Sequence, residues 1–536
     1  MKTRRKLFLS GLLVVLFINM GLISLITTAQ ETDDEWLPPL ELGDYIYSSF
    51  FGGANVEQGE DIVVDSQGNF IISGITWGSN FPLLNPLQAA YGGGASDAFL
   101  AKFNTTGHLL WSTFFGGDGL EFEPRITVDS SDNIIITGIT NSTDLPTTSD
   151  AYRSDFDGIG IGYLARLASN GSLLYLSYYG GTAVDYPLDI DLDSSGNVLI
   201  TGFSNSTDFP ITQDADQATL SGEFDTFIIK FASNLSSVLY STFLGGSFED
   251  VPEKAVIDTQ NNYIVCGWTE SSDFPVTPNA YQNTNHGSAD MFVAKYDEFG
   301  NLNYATYFGG SDYDYSGGIA VDSAGNIIVG GNTWSTDFPI TTNAYQATHA
   351  GISDAVLVKF INTGEDLVFS TYLGKSGWDG IFALDIYTND SIIVAGNTNS
   401  TDFPILNGFQ TSNIGLFEVF ITQFSPGGLL SFSTYLGGYQ WEIPQDIDVF
   451  NDYVYLVGTT ASRDFFVTDD AYQYQYESFR LESWVFRFDL VNYVVAVEAR
   501  NSQTTTSATP IFELSVIVAG FSIPLFRKLR KRQKAT

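Results

Sequence analysis

The chain has 536 residues, of which 62 are Asp or Glu and 23 are Lys or Arg, with three His, one Cys and 15% aromatic residues. The net charge of −39 argues against nucleic-acid binding, which requires clustered cations, and so few His and Cys exclude a zinc finger or a disulfide scaffold. Because 44% of the residues are hydrophobic, the chain can bury a large core, which excludes disorder of the whole chain.

The chain begins with the pattern of a secretory signal. Residues 1–6 carry four cations, residues 7–26 are mostly apolar, and small residues follow at 27–29. This order predicts a signal peptide over residues 1–29. The apolar run is long enough that an uncleaved signal anchor stays open as the alternative.

Most of the remaining chain consists of seven copies of one unit. Strings such as YSSFFGG and YSTFLGG recur at intervals of 63 to 65 residues. They begin at Tyr47, Trp111, Tyr175, Tyr240, Tyr304, Phe369 and Phe432. In the fifth complete copy, GGIAVDSAGNIIVGGNT (317–333) is predicted to form a hairpin closed by Ser-x-Gly-Asn, and residues 354–374 a second hairpin closed at 362–364. Each period is therefore predicted to hold four antiparallel strands, A to D.

Seven four-stranded units predict an all-β, seven-bladed β-propeller over residues 44–498, since closure into a ring protects the sheet edges. The first copy contains only strand D, at residues 45–51, and the last contains only strands A to C. The N-terminal strand should therefore complete blade 7 as its outer strand. YVVAV (493–497) is predicted either to compete for that edge or to form an extra strand.

The C-terminal residues follow the order of a membrane anchor. Residues 499–510 form a Ser/Thr-rich stalk, 511–526 are predicted to be a transmembrane helix, and 527–536 form a basic cytoplasmic tail. The two ends hold ten of the 23 cations and only one acid, which leaves 13 cations and 61 acids, a net charge of −48, on the body. The sequence therefore predicts a cell-surface protein held in the cytoplasmic membrane with its propeller outside.

The repeated pattern YSTFLGG…IAVDSxGN…GxTxSxDFP…AYQ…DAFVxKF resembles the SBBP β-propeller repeat over about residues 44–490, and the A–B hairpin is similar to the NHL repeat. The resemblance implies a propeller on an exported protein and implies neither an activity nor catalytic residues. The match weakens in blade 6, where Lys375 and Tyr387 replace a Gly and an Asp, and in blade 7, where Phe450 and Phe466 replace an Asp and the Pro.

One acidic position recurs in all seven copies, four residues after the second Gly or its replacement, in the loop from strand D to the next strand A. Its members are Glu57, Glu121, Asp185, Asp250, Asp314, Asp379 and Glu442. Because strand A is innermost, these side chains are candidates for a calcium-binding ring near the channel mouth. The alternatives are that each carboxylate accepts backbone N–H groups of its own loop, or that it contacts a ligand. No other cofactor is predicted.

Three further positions recur and are interpreted as structural. A B–C loop position that stabilises turns comprises Asn80, Asp144, Asp208, Asp273, Asp337, Asp402 and Asp464. The Phe-Pro that completes this DFP-like motif is expected to fill the space between blades. The turn after strand A begins with Asp65, Asp129, Asp193, Asp258 or Asp322. A strand-C cation, expected to pair with a repeated carboxylate between blades, is Lys102, Arg166, Lys230, Lys295, Lys359 or Arg487.

Residues outside the repeat are expected to carry the individual function. Aromatic side chains beside the acidic loops suit stacking on a glycan or contact with a protein, and their alternative role is packing between blades. These candidates are Trp77, Trp268, Trp334, Trp378 and Trp441. Sequons predict glycosylation at Asn104, Asn141, Asn170, Asn205, Asn234, Asn389 and Asn399.

Three functions follow from these patterns. The first is a cell-surface module that binds an extracellular glycan or protein through its loop-rich face. The alternatives are a structural envelope component without a discrete ligand, and an extracellular hydrolase that uses acids of the loop face. The three scattered His, without a GxSxG motif, favour a protein that is not an enzyme.

Overall fold

The computed structural model describes residues 45–505 apart from residue 479. Within them 28 strands form seven four-stranded antiparallel sheets, the seven predicted blades. The predicted signal peptide (1–29), transmembrane segment (511–526) and basic tail (527–536) lie outside the described residues.

The strands follow one another in the predicted order A to D. The first, β1 (Ile46–Phe51), precedes blade 1. Blade 1 contains β2 (Glu57–Val64), β3 (Phe70–Thr76), β4 (Asp97–Phe103) and β5 (Leu109–Phe115). Blade 2 contains β6 (Glu121–Val128), β7 (Ile134–Thr140), β8 (Ile161–Leu167) and β9 (Leu173–Tyr179). Blade 3 contains β10 (Asp185–Leu192), β11 (Val198–Ser204), β12 (Asp225–Phe231) and β13 (Val238–Leu244).

The remaining blades repeat this order. Blade 4 contains β14 (Asp250–Ile257), β15 (Tyr263–Thr269), β16 (Asp290–Tyr296) and β17 (Leu302–Phe308). Blade 5 contains β18 (Asp314–Val321), β19 (Ile327–Thr333), β20 (Asp354–Phe360) and β21 (Leu367–Leu373). Blade 6 contains β22 (Asp379–Ile386), β23 (Ile392–Thr398), β24 (Glu418–Phe424) and β25 (Leu430–Leu436). Blade 7 contains β26 (Glu442–Phe450), β27 (Tyr453–Thr460) and β28 (Glu482–Asp489).

The N-terminal strand closes the ring, as the sequence predicts. Strand β1 pairs antiparallel with β28, from Ile46 opposite Phe488 to Phe51 opposite Ser483, so that blade 7 is built from both ends of the propeller. The Tyr47 hydroxyl of β1 also donates to the Gly107 carbonyl of blade 1, at 3.0 Å. A Cβ at Gly107, whose φ is +81°, would lie 2.1 Å from the Tyr47 ring, so this contact requires glycine.

The connections lie on two faces. The D–A and B–C loops form one face, called the upper face here, and the short A–B and C–D turns form the lower face. Each B–C loop also runs along the outer edge of its own blade; the Tyr307 N–H of β17, for example, donates to the Gln282 carbonyl at 3.1 Å. The loop thus covers backbone groups that an open strand edge would expose.

The hydrophobic core is divided between neighbouring blades. One cluster joins Leu100 and Trp111 of blade 1 to Ile136 and Tyr163 of blade 2. In blades 1 to 6 the apolar residue of the DFP-like motif enters such a cluster, as Leu145 in blade 2 and as Phe in the others; Phe338 of blade 5, for example, packs with residues of blade 4. The predicted packing role of this motif between blades is confirmed.

The prediction of a strand at 493–497 is wrong. Leu490–Thr505 forms the helix α1, which also includes the first part of the predicted stalk. Asp489 begins it, because its carboxylate accepts the Asn492 N–H at 3.1 Å in the manner of an N-cap. Tyr493 is buried against Phe488 with ring centroids 5.2 Å apart. Between residues 45 and 505, leaving out residue 479, the structure has no helix with the length and hydropathy of a membrane span.

Candidate functional site at the channel mouth

The seven acidic side chains predicted as a metal ring turn back into their own loops. Glu121, for example, accepts the Gly117 N–H at 3.0 Å and the hydroxyls of Thr140 and Ser142 at 2.6 and 2.5 Å. The other blades repeat this arrangement, with donors at Gly53, Gly181, Gly246, Gly310, Lys375 and Gly438.

These contacts favour the alternative that the carboxylates hold their own loops. Burial raises the pKa of both Glu57 and Glu442 to about 7, although their hydrogen-bond donors oppose the rise. In the part of the chain that the structure describes, no group of three or more acidic, His or Cys side chains is arranged to hold a metal ion. The calcium site stays a prediction.

The second repeated set ties the B–C loop of each blade to the preceding D–A loop. The Oδ1 atom of Asp337 accepts the backbone N–H and the hydroxyl of Ser311, both at 2.9 Å. Asp208 makes the same contacts with Thr182, and Asn80 instead accepts from the Asn55 side chain. These contacts support the interpretation of this set as structural.

The third set forms the predicted turns and also the ion pairs. Asp65 accepts the N–H groups of Gln67 and Asn69 at 2.9 Å, and its carboxylate lies 2.8 Å from the Lys102 ammonium. Lys102 and Asp65 belong to the same blade, so the predicted pairing between blades is wrong for the carboxylate. The cation contacts the next blade through a backbone carbonyl instead; the Lys359 ammonium of blade 5, for example, donates to the Pro426 carbonyl of blade 6 at 3.1 Å.

The Gln of the AYQ motif connects the B–C loop to strands C and D, a role that was not predicted from the sequence. The Gln282 amide donates to Asp290 at 2.6 Å, and its carbonyl oxygen accepts the Gly309 N–H at 3.1 Å. In blade 2 Arg153 replaces the Gln and Ile161 replaces the acid, and the guanidinium donates to the Gly180 carbonyl at 2.8 Å. The signal was present in the sequence, because the Gln and the acid recur in phase.

A further acidic set, also missed, lines the channel. These inner-strand aspartates are Asp61, Asp189, Asp191, Asp385, Asp446 and Asp448. Each accepts a backbone N–H from the inner strand of the next blade; Asp189 accepts from Ala255 at 2.6 Å, and Asp448 from Val64 at 2.7 Å. They therefore satisfy backbone donors at the open edges of the inner strands.

One cation crosses the channel. The ammonium of Lys254, in blade 4, lies 3.4 Å from a carboxylate oxygen of Asp189 in blade 3 and 3.3 Å from one of Asp446 in blade 7. Burial alone would raise the pKa of Asp446, but Lys254 and a hydrogen bond from Asp61 hold it below its ordinary value. These residues line a cavity of about 240 Å³ inside the channel.

At the upper end of the channel, four aromatic side chains of blades 4 and 5 meet. We call Trp268, Tyr313, Tyr315 and Trp334 the mouth aromatic cluster. Trp268 and Trp334 lie at 89° and 88° to the Tyr315 ring, with centroids 5.4 and 5.9 Å away. Tyr313 lies 5.9 Å from Tyr315 and nearly parallel to it. Tyr313 is 40% exposed, so the cluster reaches solvent.

Acidic side chains of blade 4 lie beside this cluster. Glu253 accepts the Trp268 indole N–H at 3.1 Å, and burial raises the pKa of Glu253 to about 7. Burial, followed by the charges of Tyr313, Glu270, Glu253 and Glu249, raises the pKa of the Tyr315 hydroxyl. The site therefore combines aromatic rings with a negative potential.

The repeated carboxylates position this site. Asp314 lies between Tyr313 and Tyr315, and it accepts hydrogen bonds from Thr333 and Ser335, the two neighbours of Trp334. Asp250 acts in the same way in blade 4, where its donor Thr269 lies between Trp268 and Glu270. The hydrogen bonds of the repeated carboxylate thus recur in both blades, and they position neighbouring side chains that differ between the blades.

The other predicted tryptophans lie elsewhere. Trp77 is 36% exposed and contacts Phe122, whereas Trp378 packs against Phe382 and Phe417. Trp441 is only 3% exposed, which leaves it no surface for a ligand in this structure. All seven sequon asparagines lie in loops or turns and are exposed or half-buried, and their glycosylation stays a prediction.

A family model described as SBBP, a beta-propeller repeat, matches residues 303–339. This segment holds three members of the mouth aromatic cluster, Tyr313, Tyr315 and Trp334. The chain is a β-propeller repeat protein. It is also 22% identical over 416 residues to an uncharacterized WD repeat-containing protein of Acanthamoeba polyphaga mimivirus. The alignment covers 66% of this chain and 29% of the relative, so the chain spans less than a third of that protein's length.

Several solved structures share a weak likeness with the chain. The polysaccharide lyase Uly1 has a TM-score of 0.42 at 10% identity, over 86% of this chain and 94% of the lyase. An ulvan lyase bound to a sugar ligand has a TM-score of 0.41 at 11% identity, over 76% and 92% of the two chains. The WD40 domain of Neurospora crassa Pan2 has a TM-score of 0.38 at 9% identity, over 81% and 89%. Likenesses of this size carry no argument about the function of this chain.

Proposed function

We propose that the protein is an interaction module that binds a partner on its upper face, over the channel mouth at blades 4 and 5. The observation that carries this proposal is the mouth aromatic cluster, whose rings lie on the rim of the channel beside several carboxylates. Aromatic side chains that keep partial exposure beside polar groups are typical of contact surfaces.

Other upper-face side chains support a contact surface wider than this cluster. Ile159, Ile352 and Leu416 occupy one equivalent position, two residues before strand C, and are 70%, 64% and 53% exposed. Phe248, in the D–A loop before blade 4, is 56% exposed. Large apolar side chains that extend into solvent add area to a protein contact.

The channel network favours binding at the mouth over passage through the ring. Lys254 reaches from blade 4 to Asp446 of blade 7, and so it crosses the channel below the aromatic residues. A partner is therefore expected to contact the rim and the loops.

The cell-surface location is part of the proposal and is supported by the sequence of the two ends and by the charge of −48 on the body. Protease added to intact cells should remove the propeller if it lies outside. Protection of the propeller in intact cells, with cleavage only after lysis, would contradict the surface location.

Site-specific photo-crosslinking in the native cell tests the binding face. A benzophenone amino acid at Ile352 samples the upper face, and one at Phe299, which is 70% exposed in a C–D turn, samples the lower face. We expect discrete adducts from Ile352 and none from Phe299. Adducts from Phe299 alone would refute the assignment, and adducts to further copies of this chain would favour the structural envelope component.

A further inference from the structure

We propose that the mouth aromatic cluster, together with Glu249, Glu253 and Glu270, binds the guanidinium or ammonium group of an Arg or Lys side chain on a partner protein. This inference rests on the proposed function and names the chemistry that the upper face recognises. None of these seven residues stands at a position where the blades repeat the same residue type.

The ring geometry fits a cation. The faces of Trp and Tyr rings attract positive charge, most strongly for Trp. Trp268 and Trp334 are both perpendicular to Tyr315, so the cluster presents ring faces in more than one direction. Such an arrangement suits a charge that is surrounded, whereas a sugar ring stacks best on a single open face.

The charges around the rings make the same distinction. Burial raises the pKa of Glu249, of Glu253 and of Glu270, which means that their ionised forms lack full solvation. A bound cation would compensate this loss, and a neutral ligand would not. Glu253 accepts a hydrogen bond from a neutral donor, the Trp268 indole N–H, and burial raises its pKa by more than the charges of Arg125 and Lys254 lower it.

The blade 4 acids belong to this site by position. Glu249 immediately precedes the buried Asp250, at the position that Tyr313 occupies in blade 5, and Glu270 occupies the position of Trp334. The Glu270 N–H donates to the Glu249 carbonyl at 3.0 Å, as the Trp334 N–H does to the Tyr313 carbonyl. Two equivalent backbone pairs thus present acids in one blade and aromatic rings in the next.

The test uses the purified full chain in non-ionic detergent and a blocked nine-residue Gly/Arg peptide, with affinity measured by calorimetry. A citrulline version of the peptide keeps the side-chain shape and removes the charge. We expect Trp334→Leu and Glu270→Gln each to weaken binding of the arginine peptide about three- to thirty-fold. The controls Phe299→Leu and Glu298→Gln, on the lower face of blade 4, should bind as the wild type does.

Competition separates this site from general attraction by an acidic surface. Tetramethylammonium chloride should displace the peptide more strongly than sodium chloride at equal ionic strength, because its methyl groups bind ring faces. Equal binding by Trp334→Leu and Phe299→Leu, or equal displacement by the two salts, would overturn the proposal. A β-linked glucose hexamer that binds in place of the arginine peptide, and is lost in Trp334→Leu, would replace it with a glycan site.

Failure of this inference is distinguishable from failure of the proposed function. If the arginine peptide ignores the cluster while crosslinks still form at Ile352, the upper face binds a partner by other contacts. If crosslinks form only at Phe299, both are wrong.

Discussion

Replacing Lys254 by Met should destabilise the propeller, because it leaves Asp189 and Asp446 without the ammonium that lies 3.4 and 3.3 Å from them. Removing one partner of a buried ion pair costs about 3–5 kcal/mol, since the remaining charge stays buried and unpaired. The three side chains are mostly shielded from solvent, with exposed fractions of 18%, 9% and 14% for Lys254, Asp189 and Asp446. Met keeps the length of the side chain, so the change removes charge with little loss of packing.

The expected loss can be measured as a melting temperature. Unfolding entropies of about 2 cal/mol/K per residue make ~1 kcal/mol equal to roughly 1 °C for a propeller of this size. Scanning calorimetry of Lys254→Met at pH 8 should therefore show a decrease of about 3–5 °C. Lys375→Met is the control, because the structure shows no ion pair for Lys375 with any residue it describes.

The pH dependence tests the electrostatic reason directly. Lys254 helps to keep the pKa of Asp446 below its ordinary value of 3.8, so without the ammonium this pKa rises and the carboxyl takes up a proton more readily. The loss of stability in Lys254→Met should therefore be smaller at pH 5 than at pH 8, and Asp446→Asn in the same chain should recover part of it. An unchanged melting temperature at pH 8, or an equal loss at both pH values, would refute this reasoning.

Three further predictions follow from the repeat and the ring closure. Burial raises the pKa of Glu57 and of Glu442 from 4.5 to about 7, so between these values the folded chain holds protons that the unfolded chain releases. The melting temperature should therefore fall from pH 5 to pH 8, and a rise would contradict the assignment. EDTA should leave the melting temperature unchanged if the repeated carboxylates only hold their loops, whereas a decrease that calcium reverses would establish the metal ring. Phe51→Ala should destabilise the propeller by about 3–5 kcal/mol, because Phe51 of the closing strand is fully buried against Phe81 and Phe103. The exposed control Phe299→Ala should melt as the wild type does. Equal melting temperatures of the two variants would argue against the closing role of β1.

The blade architecture was predictable because the sequence of the unit recurs seven times. Strand periodicity and the interval of about 64 residues persist through the copies even where the turn residues change in blades 6 and 7, and the missing strands of the first and last copies indicate the clasp at Ile46–Phe51. The aromatic residue of the DFP-like motif could be assigned to packing between blades for the same reason.

The structural features that were predicted wrongly or missed depend on contacts between residues far apart in the sequence. YVVAV (493–497) has the β-branched composition of a strand, but β1 already occupies the edge of blade 7, and Asp489 begins a helix instead. The inner-strand aspartates were missed because their partners lie far along the chain; Asp446 and Ile62 are 384 residues apart. The sequence placed Trp268 and Trp334 on one face, but only the structure shows that both meet Tyr315.

The loop structure held by the repeated carboxylates also explains why a site can form between blades 4 and 5 alone. The residues on either side of the buried carboxylate are not needed for its hydrogen bonds, so each blade can vary them. Both are aromatic only in blade 5, at Tyr313 and Tyr315, and the equivalent residues of blade 4 are Glu249 and Val251. Because Asp314 and Asp250 hold their loops in the same way, substitutions at these flanking positions should alter recognition with little effect on stability. If such a substitution lowered the stability as much as removal of Asp314 does, the flanking residues would be needed to hold the loop.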